Sequence, residues 1–544
     1  MSQILTKNKN SKVHSLGVTK HSIPGISSAI ANVYDTINTY KIQYLNEQGE
    51  VMSSVKDTFF KAMNSQGLAL TFDDVRLVAG RSSVTTQNVD INSRFSKNVG
   101  LRAPIASAAM DTVTTADMAI AMAKQGGIGV IHAGLSPEQQ YQEVRKVKLH
   151  LNGKIESPIT VRPDETLRDV IDFCTEKGFK FRSFAVTDEN ENLLGLITGN
   201  AFALSKDLSE KVGDIMTSVD KLTVGDDNTT VDEAYKIMRD IKRKVVPLVD
   251  ESGKLKGLYL LSDVSRIVKD NPQQYNLDDN GRLRVAAAVP TDDGALERIE
   301  LMRKYLDVAV VDTAQGDSDF ALDTLKKVKA KYPDLDVVIG NISNPDSARE
   351  LAEAGADGIK IGQGPGSICT TRVETGIGTP QVTAVYECTQ AVKEFDIPVC
   401  ADGGISSAGD VSIAIAAGAS CVMIGSGLGG TKEAPGEVIF TEDGKMVKLY
   451  RGMGSPSAMR DSAASRKRYG TEGVKGKPLS EGVESHVTYK GPVADVLDHY
   501  IKALRKSMSY VGSKDIATHR AQTTFYRITN AGYRESHPHD VKVI

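Results

Sequence analysis

The sequence lacks the features of several protein classes. Its five cysteines have no paired spacing, which argues against a disulfide scaffold or a zinc module and predicts reduced thiols. Lysine and arginine number 66 against 69 acidic residues, so a net charge of -3 provides no general attraction to nucleic acids or membranes. With 40% hydrophobic and 25% charged residues, the 544-residue chain has the composition of a globular protein of about two to four domains.

Targeting and membrane-spanning segments are also missing. The most apolar stretch, 413–424, is interrupted by Gly418 and Ser420 and is too short to cross a membrane. The N-terminus lacks the apolar core of a secretory signal, and no arginine precedes Arg76, whereas mitochondrial presequences are rich in arginine. These features predict a cytoplasmic protein. Residues 1–66 are polar and mixed, and we expect an N-terminal extension of unknown role in which 26–40 could form a helix.

From residue 67 onward, short apolar runs alternate with amphipathic stretches, which is the pattern of parallel βα units. The apolar runs predict eight strands, at 104–109, 127–132, 285–289, 307–312, 336–340, 358–362, 397–401 and 421–425. Stretches between them predict helices at 296–304, 321–331, 345–354 and 381–393. Chemistry-bearing residues follow the strand ends, and no glycine fingerprint follows the first strand. The fold class predicted is therefore α/β, a (β/α)8 TIM barrel rather than an open doubly wound sheet.

The interval 150–275 interrupts this rhythm between the second and third strands. It consists of two similar halves, about 150–210 and 211–275, each with a threonine-bearing turn, a helix and a glycine-led strand. We interpret it as an internal repeat of about 60 residues inserted in a barrel loop. The halves resemble a tandem pair of CBS modules (a Bateman domain), which implies binding of adenine or guanine nucleotides. The barrel then comprises 67–149 and 276–544.

The segment 359–381 is the richest in candidate chemistry. Three glycines allow its backbone unusual dihedral angles and a close approach to a ligand; they are Gly362, Gly364 and Gly366. Ser367 can donate a hydrogen bond to a phosphate oxygen. Cys369 follows in this polar loop, whereas the cysteines at 388, 400 and 421 lie in apolar, periodic contexts. Cys369 is therefore the candidate nucleophile.

This loop resembles that of the IMP dehydrogenase family, Gly-x-Gly-x-Gly-Ser-Ile-Cys-x-Thr, which is matched from Gly362 to Thr371. The resemblance runs from residue 70 to residue 541, which is nearly everything but the extension. Further matching blocks begin at Ser107, Gly126, Ala401, Tyr450 and Glu481. So many blocks in the same order make coincidence implausible, and the chain is identified as a member of the family.

The resemblance implies NAD-dependent oxidation of IMP to XMP, the step that commits purines to guanine nucleotides. Cys369 would add to the purine C2 and form a thioimidate, which water then hydrolyses. Arg468 would be the general base and Tyr469 would orient the water, both in a mobile flap at about 455–480. Thr371 and Glu481 match an alternative proton path. Because the ordinary arginine pKa is above about 12, such a base requires a site that disfavours its cation.

The resemblance also assigns binding roles. For IMP the implied residues are Ser107, Met110, Ser367, Asp402, Gly404, Gly425, Ser426, Tyr450, Gly452, Met453, Gly454 and Glu481. For NAD they are Asp312, Thr313, Asn341, Gly362 and Gly364. A potassium ion is implied on the carbonyls of Gly364, Gly366 and Cys369, completed by Glu535, Ser536 and His537 of a neighbouring subunit in a homotetramer. A divalent metal cluster at 535–540 is the weaker alternative, because no companion ligand motif accompanies it.

The chain departs from the family pattern in two places. Gln363 occupies a loop position that is usually aliphatic. The Thr-x-x-Asp nucleotide signature of CBS modules is incomplete, with Ala201 after Thr198 in the first copy and Leu260 before Asp263 in the second. The pair is therefore expected either to bind nucleotide in an altered way or not to bind it.

Two other functions compete with the dehydrogenase. An NADPH-dependent GMP reductase shares the barrel, the cysteine loop and the Thr–Glu pair, but the flap pair Arg468 and Tyr469 and the block 452–455 favour the dehydrogenase. A catalytically silent, nucleotide-sensing regulator is the third hypothesis. The intact Cys369 and Thr371 argue against it.

Overall fold

The structure is a computed structural model, which describes residues 55–151, 153–156, 158–177, 183–205, 207–269, 272–474 and 476–542. The chain divides into two compact units, Met1–Leu68 and Ala69–Ile544. The described part of the first unit contains the helix Val55–Ser65. The helix that the sequence allows at 26–40 lies outside the described residues.

The second unit contains a closed barrel of eight parallel strands. In chain order they are β1 (Ile105–Ser107), β2 (Ile128–Ile131), β3 (Ala286–Val289), β4 (Val308–Asp312), β5 (Asp336–Ile342), β6 (Gly358–Ile361), β7 (Val399–Asp402) and β8 (Cys421–Ile424). All eight strands and the (β/α)8 fold class predicted from the sequence are confirmed. Strand β2 pairs directly with β3, with Val130 opposite Ala286, so the long intervening segment leaves the barrel intact. The barrel closes where β8 pairs with β1.

The strands are apolar because parallel strands are buried on both faces. In β3 and β5, for example, every residue is buried. Small and β-branched side chains from alternate positions fill the interior of the barrel; they include Ala106, Val130, Ala288, Val310 and Val338. The one charged side chain that interrupts β6 is Lys360, and it is buried as well.

Among the described residues, eight helices surround the barrel. They are α1 (Ala116–Lys124), α2 (Pro137–Lys148), α3 (Gly294–Met302), α4 (Asp319–Lys331), α5 (Pro345–Glu353), α6 (Gln381–Ala391), α7 (Ala408–Ala417) and α8 (Val493–Val511). Helices α3 to α6 confirm the four predicted helices. Local signals begin several of them: Ser136 forms a capping box at the start of α2, and Asn344 caps α5 ahead of a proline. Helix α8 packs against α7 and α1 and completes the ring.

Between β2 and β3 the chain forms two four-stranded sheets. The strands of the first are Thr160–Val161, Phe184–Thr187, Leu193–Ile197 and Thr217–Ser218; those of the second are Lys154–Ile155, Gly225–Asp226, Val245–Val249 and Leu255–Leu260. Longer helices accompany them, Leu167–Lys177 in the first half and Val231–Ile241 and Leu261–Lys269 in the second. An apolar cluster joins the halves, with Leu193 and Leu196 of the first packing with Val245 and Leu255 of the second.

After β8 the chain leaves the barrel before it returns as α8. An antiparallel sheet of Ile439–Phe440, Met446–Arg451 and Glu484–Thr488 forms there, and the sequence analysis did not predict it. Between its last two strands lie the short helices Pro456–Asp461 and Ala463–Arg468. Near the C-terminus, the strand Phe525–Arg527 pairs with Val75–Leu77. None of the described helices combines the length and the apolar character that crossing a membrane requires.

Candidate active site

A cavity of about 130 Å³ lies at the C-terminal ends of the barrel strands, where the active sites of this fold are built. Asp312 ends β4, Asp402 ends β7, and the glycine loop follows β6. The structure brings most of the predicted site residues together on its wall. Those that line it are Met110, Asp312, Thr313, Asn341, Gly362, Gly364, Gly366, Cys369, Thr371, Asp402, Tyr450, Gly452, Met453, Arg468, Tyr469 and Glu481.

The cysteine loop is held at both ends. Gly362 has a φ of +147°, and a Cβ atom at this position would overlap the carbonyl oxygen of Asp402, so only glycine lets β6 and β7 approach here. At the other end, the amide of Val483 donates to the carbonyl of Ile368 at 3.0 Å. Cys369 directly follows the second anchor and is partly exposed to the cavity. The loop therefore presents the thiol at a fixed place.

Cys369 begins a short chain of hydrogen bonds. Its Sγ lies 3.1 Å from Thr371 Oγ1, which in turn donates to Glu481 Oε2 at 2.7 Å. Because the single hydroxyl proton of Thr371 is directed to Glu481, Thr371 Oγ1 is left to accept from the thiol. The arrangement can carry a proton from Cys369 towards the Glu481 carboxylate.

Arg468 and Tyr469 reach the cavity from the end of the helix Ala463–Arg468, which Ser462 caps. The Arg468 guanidinium forms an ion pair with Asp312, and the Arg468 carbonyl accepts from the amide of Ala314 at 3.2 Å. Burial raises the pKa of Tyr469 above its ordinary value, and the charge of Arg468 offsets only part of this increase. Tyr469 therefore stays a protonated phenol at neutral pH.

Several residues predicted to bind IMP lie around the hydroxyl of Tyr450. It is hydrogen-bonded to Ser367 and lies 3.7 Å from the sulfur of Met110. A Cβ atom on Gly425 would lie 2.6 Å from the same hydroxyl, so glycine is required for this approach. Ser426 follows at the start of a short helix. Burial raises the pKa of Tyr450, and the nearby Asp402 carboxylate adds to the effect, so this hydroxyl is protonated and able to donate.

Lys360 is a site residue that the sequence analysis missed. Its side chain is 1% exposed, and its ammonium lies 2.9 Å from Asp312 Oδ1 and 2.8 Å from Asp402 Oδ2. It also donates to the amide oxygen of Asn341, whose Nδ2 donates to Asp402 Oδ2 at 2.9 Å. A buried charge needs such partners, because desolvation is costly. The sequence signal that could have identified Lys360 is a single lysine within an otherwise apolar strand.

Comparison with known proteins settles the family. Residues 69–539 match the IMP dehydrogenase / GMP reductase domain. The chain belongs to this family. It is 45% identical over 477 residues to an inosine-5'-monophosphate dehydrogenase of Aquifex aeolicus, covering 87% of this chain and 96% of the relative. It is 42% identical over 475 residues to that of Bacillus subtilis, with the same coverage.

A solved structure of the family also superposes on the chain. It is a GMP reductase variant of Trypanosoma brucei in complex with guanosine 5'-monophosphate. The TM-score is 0.78 and the identity 39%, with 88% of this chain and all of that chain covered. The likeness therefore extends over most of the chain.

Gln363, the departure from the family's loop, forms a polar link at the C-terminal end of the barrel. Its Oε1 accepts from Ser343 Oγ at 2.7 Å. Its Nε2 donates to the carbonyl of Ala314 at 3.3 Å and to the side chain of Gln315. The amide thereby joins the loops that follow β4, β5 and β6, which an aliphatic side chain could not do.

Other residues that the resemblance to the family assigns lie away from the cavity wall. Ser107 is fully buried at the end of β1, where it accepts from Thr114 at 2.8 Å. Gly404 packs against the ring of Phe72. Gly454 lies beneath the ring of Tyr469. The exposed residues Glu535, Ser536 and His537 lie at the end of a short C-terminal helix, where the side chains of Ser536 and His537 bond back to the carbonyls of Gly532 and Tyr533.

Proposed function

We propose that the chain oxidises IMP to XMP with NAD, through a covalent thioimidate on Cys369 that water then hydrolyses. The observation that carries the proposal is the convergence of Cys369, the Thr371–Glu481 pair and Arg468–Tyr469 on one cavity. The relatives of Aquifex aeolicus and Bacillus subtilis are inosine-5'-monophosphate dehydrogenases, and the family match at residues 69–539 includes both the barrel and the flap.

In the first step, Cys369 Sγ forms a bond to the purine C2. The thiol proton leaves through Thr371 Oγ1 towards Glu481, along the hydrogen bonds of 3.1 and 2.7 Å. NAD supplies the hydride acceptor for the hydrogen on C2. The C2–H electron pair departs, and a thioimidate between Cys369 and the base remains.

In the second step, water adds to C2 and the bond from Sγ to C2 breaks, which releases XMP and restores the thiol. The proposed base for the proton of the water is Arg468. Because the ion pair with Asp312 favours the guanidinium cation, Arg468 accepts this proton only in a state in which it has left Asp312 and is neutral. Tyr469, which is kept protonated by its burial, orients the water through its phenol oxygen. The Thr371–Glu481 pair provides a second route for this proton.

IMP is held by residues around Tyr450 and β7. Asp402 receives the ribose hydroxyls at the end of β7. Ser367, Gly425 and Ser426 surround the phosphate, and the Tyr450 hydroxyl donates to it. The base lies among the remaining residues implied by the family; these are Met110, Gly452, Met453 and Gly454 near the cavity, with Ser107 and Gly404 as supporting residues behind it.

The NAD-binding residues are Asp312, Thr313, Asn341, Gly362 and Gly364. Their donor set suits a nicotinamide riboside, because a carboxylate and an amide face the cavity beside a backbone that no Cβ atom obstructs. Asp312 is also the partner of Arg468. The cofactor and the docked flap therefore compete for the same carboxylate.

A potassium ion on the carbonyls of Gly364, Gly366 and Cys369 is part of the proposal. Carbonyl oxygens are the ligands that such hard cations prefer. The Gly366 carbonyl accepts from the Cys369 amide at 3.0 Å, which occupies one of its two lone pairs and leaves the other for a cation. Glu535, Ser536 and His537 of the neighbouring subunit would complete the site, which makes a homotetramer the catalytic form.

The two-sheet segment at 150–275 is proposed to be the tandem CBS pair, with adenine or guanine nucleotides as its ligands. Thr198 begins the first short helix of the segment, and Asp263 lies in the first turn of the last. Each half therefore keeps one polar residue of the signature. Residues 1–66 form the N-terminal extension.

A paired substrate assay tests the activity. We expect NADH from IMP and NAD, and no ammonia from GMP and NADPH. GMP reductase is the second candidate, since the solved structure that matches the chain at a TM-score of 0.78 is a GMP reductase. Ammonia release from GMP without oxidation of IMP would establish the reductase. If the protein binds nucleotide but is inactive with both substrate pairs, the catalytically silent regulator would be the remaining hypothesis.

A further inference from the structure

We propose that the ion pair between Lys467 and Asp292 positions Arg468 for hydrolysis by holding the flap helix Ala463–Arg468 on the barrel. This inference rests on the proposed function and names two residues to which no catalytic or binding role is assigned above. Lys467 precedes Arg468 on the flap helix, and its ammonium contacts Asp292 Oδ2. Asp292 lies in the loop between β3 and α3.

Both partners are oriented for this contact. The other carboxylate oxygen of Asp292, Oδ1, accepts from the amide of Gly294 at 2.9 Å, which turns Oδ2 towards the flap. Each side chain is 32% exposed, so the pair is partly shielded from water. The hydrogen bond that Lys467 donates to Asp292 raises the pKa of Lys467 further above neutral pH, so the ammonium is charged under all conditions of the assay. Glu472 Oε1, at 3.9 Å from Lys467, adds a weaker attraction.

The flap helix is thus attached to two consecutive barrel loops. Arg468 contacts Asp312 and the amide of Ala314 after β4, while Lys467 contacts Asp292 after β3. NAD requires Asp312, so the contact of Arg468 is lost whenever the cofactor is bound. The contact of Lys467 is made to a residue outside the NAD set. The contact between Lys467 and Asp292 therefore stabilises the docked flap without involving any group that reacts.

The consequence is a split between the two chemical steps. Removing the pair weakens docking of the flap, so Arg468 spends less time beside the thioimidate and NAD meets less competition. A partly exposed ion pair supports a change of about two- to fivefold in such an equilibrium. Hydrolysis should therefore slow, and the KM for NAD should fall by the same factor, while hydride transfer keeps its rate.

The experiment uses Lys467→Gln, Asp292→Asn and the charge swap Lys467→Asp with Asp292→Lys in the full chain. Rapid-mixing kinetics with IMP and NAD separate the burst of NADH from the steady state. We expect the single variants to keep the burst rate, to lose about two- to fivefold in the steady-state rate, and to show the lower KM for NAD. The swap should restore part of both parameters.

Lys327→Gln is the matched control. Lys327 pairs with Asp293, the neighbour of Asp292, at 3.2 Å, but it lies on α4 and not on the flap. It should leave all three parameters unchanged. Hydrogen exchange of 463–474 provides a readout independent of turnover, and it should accelerate in Asp292→Asn without ligands.

Two outcomes would overturn the proposal. One is an unchanged steady-state rate and KM for NAD in both single variants of an active enzyme. The other is an equal loss in burst and steady state, which would make the pair merely structural. If the unaltered chain fails to oxidise IMP at all, the proposed function fails instead, and the exchange measurement alone then tests whether the pair holds the flap.

Discussion

Lys360 joins the carboxylates of Asp312 and Asp402 with Nζ–O distances of 2.9 and 2.8 Å. One of these acids is proposed to meet NAD and the other the ribose of IMP. Arg468 occupies the second oxygen of Asp312, so a continuous row of alternating charges runs from the substrate side to the flap. The two ligand subsites therefore share one buried cation.

Replacing this cation should damage both subsites together. The Lys360→Met variant would leave the buried carboxylates of Asp312 and Asp402 without their common cationic partner. We expect the KM values for IMP and for NAD both to rise at least about tenfold, and the free energy of unfolding to fall by about 3 kcal/mol. Steady-state kinetics and urea denaturation measure these changes. Lys360→Arg keeps the charge and should lose less; an unaltered KM for either ligand would contradict the shared role.

Cys369→Ser should abolish NADH formation, with a loss of at least about a thousandfold, while IMP still binds. The matched control is Cys388→Ser. Cys388 is buried in α6, and its burial raises the pKa of the thiol, which makes it unreactive at neutral pH. Alkylation of the unaltered chain should label Cys369 first and should be prevented by IMP. Protection of a different cysteine would refute the nucleophile.

Arg468→Ala should slow hydrolysis far more than hydride transfer. The variant loses the proposed base and its contact with Asp312, but the Cys369–Thr371–Glu481 chain stays in place. We expect a burst of one NADH per site followed by a steady state slower by about a hundredfold or more. Glu481→Gln, in combination with Arg468→Ala, should remove the residual rate. Equal slowing of both phases would refute this division of roles.

Gly362→Ala should destabilise the barrel. Its φ of +147° is unfavourable for alanine, and the new Cβ would overlap the carbonyl oxygen of Asp402. We expect a loss of at least about 2 kcal/mol in the free energy of unfolding, measured by chemical denaturation. Gly366→Ala is the control, since its Cβ would make an ordinary contact of 3.7 Å with Cys369. It should change stability by less than about 1 kcal/mol; equal losses would contradict the steric argument.

Deletion of 150–275 should leave an active barrel, because β2 and β3 pair with each other directly. A short linker of glycine and serine would replace the segment. The expected result is a folded enzyme with the NADH burst of the full chain. Insoluble protein or a melted far-ultraviolet spectrum would show that the segment supports the barrel and is not an independent insert.

The parts of the fold that the sequence predicted best are those with strong local periodicity. Strands β1 to β8 are apolar because both of their faces are covered, and that composition is visible without any tertiary information. The sheet of Ile439–Phe440, Met446–Arg451 and Glu484–Thr488 escaped prediction because its residues are largely exposed and mixed in character. Its pairing depends on partners that lie far apart in the chain.

The candidate site shows the same division. The sequence by itself determined the barrel, the family and the cysteine loop, because short motifs and repeated apolar runs are local properties. Only the tertiary structure decided which acids Lys360 pairs with, that Gln363 joins three loops, and that Lys467 contacts Asp292. These contacts join segments that are distant in sequence. Their polar groups come within hydrogen-bonding distance only when the barrel closes and the loops pack on it.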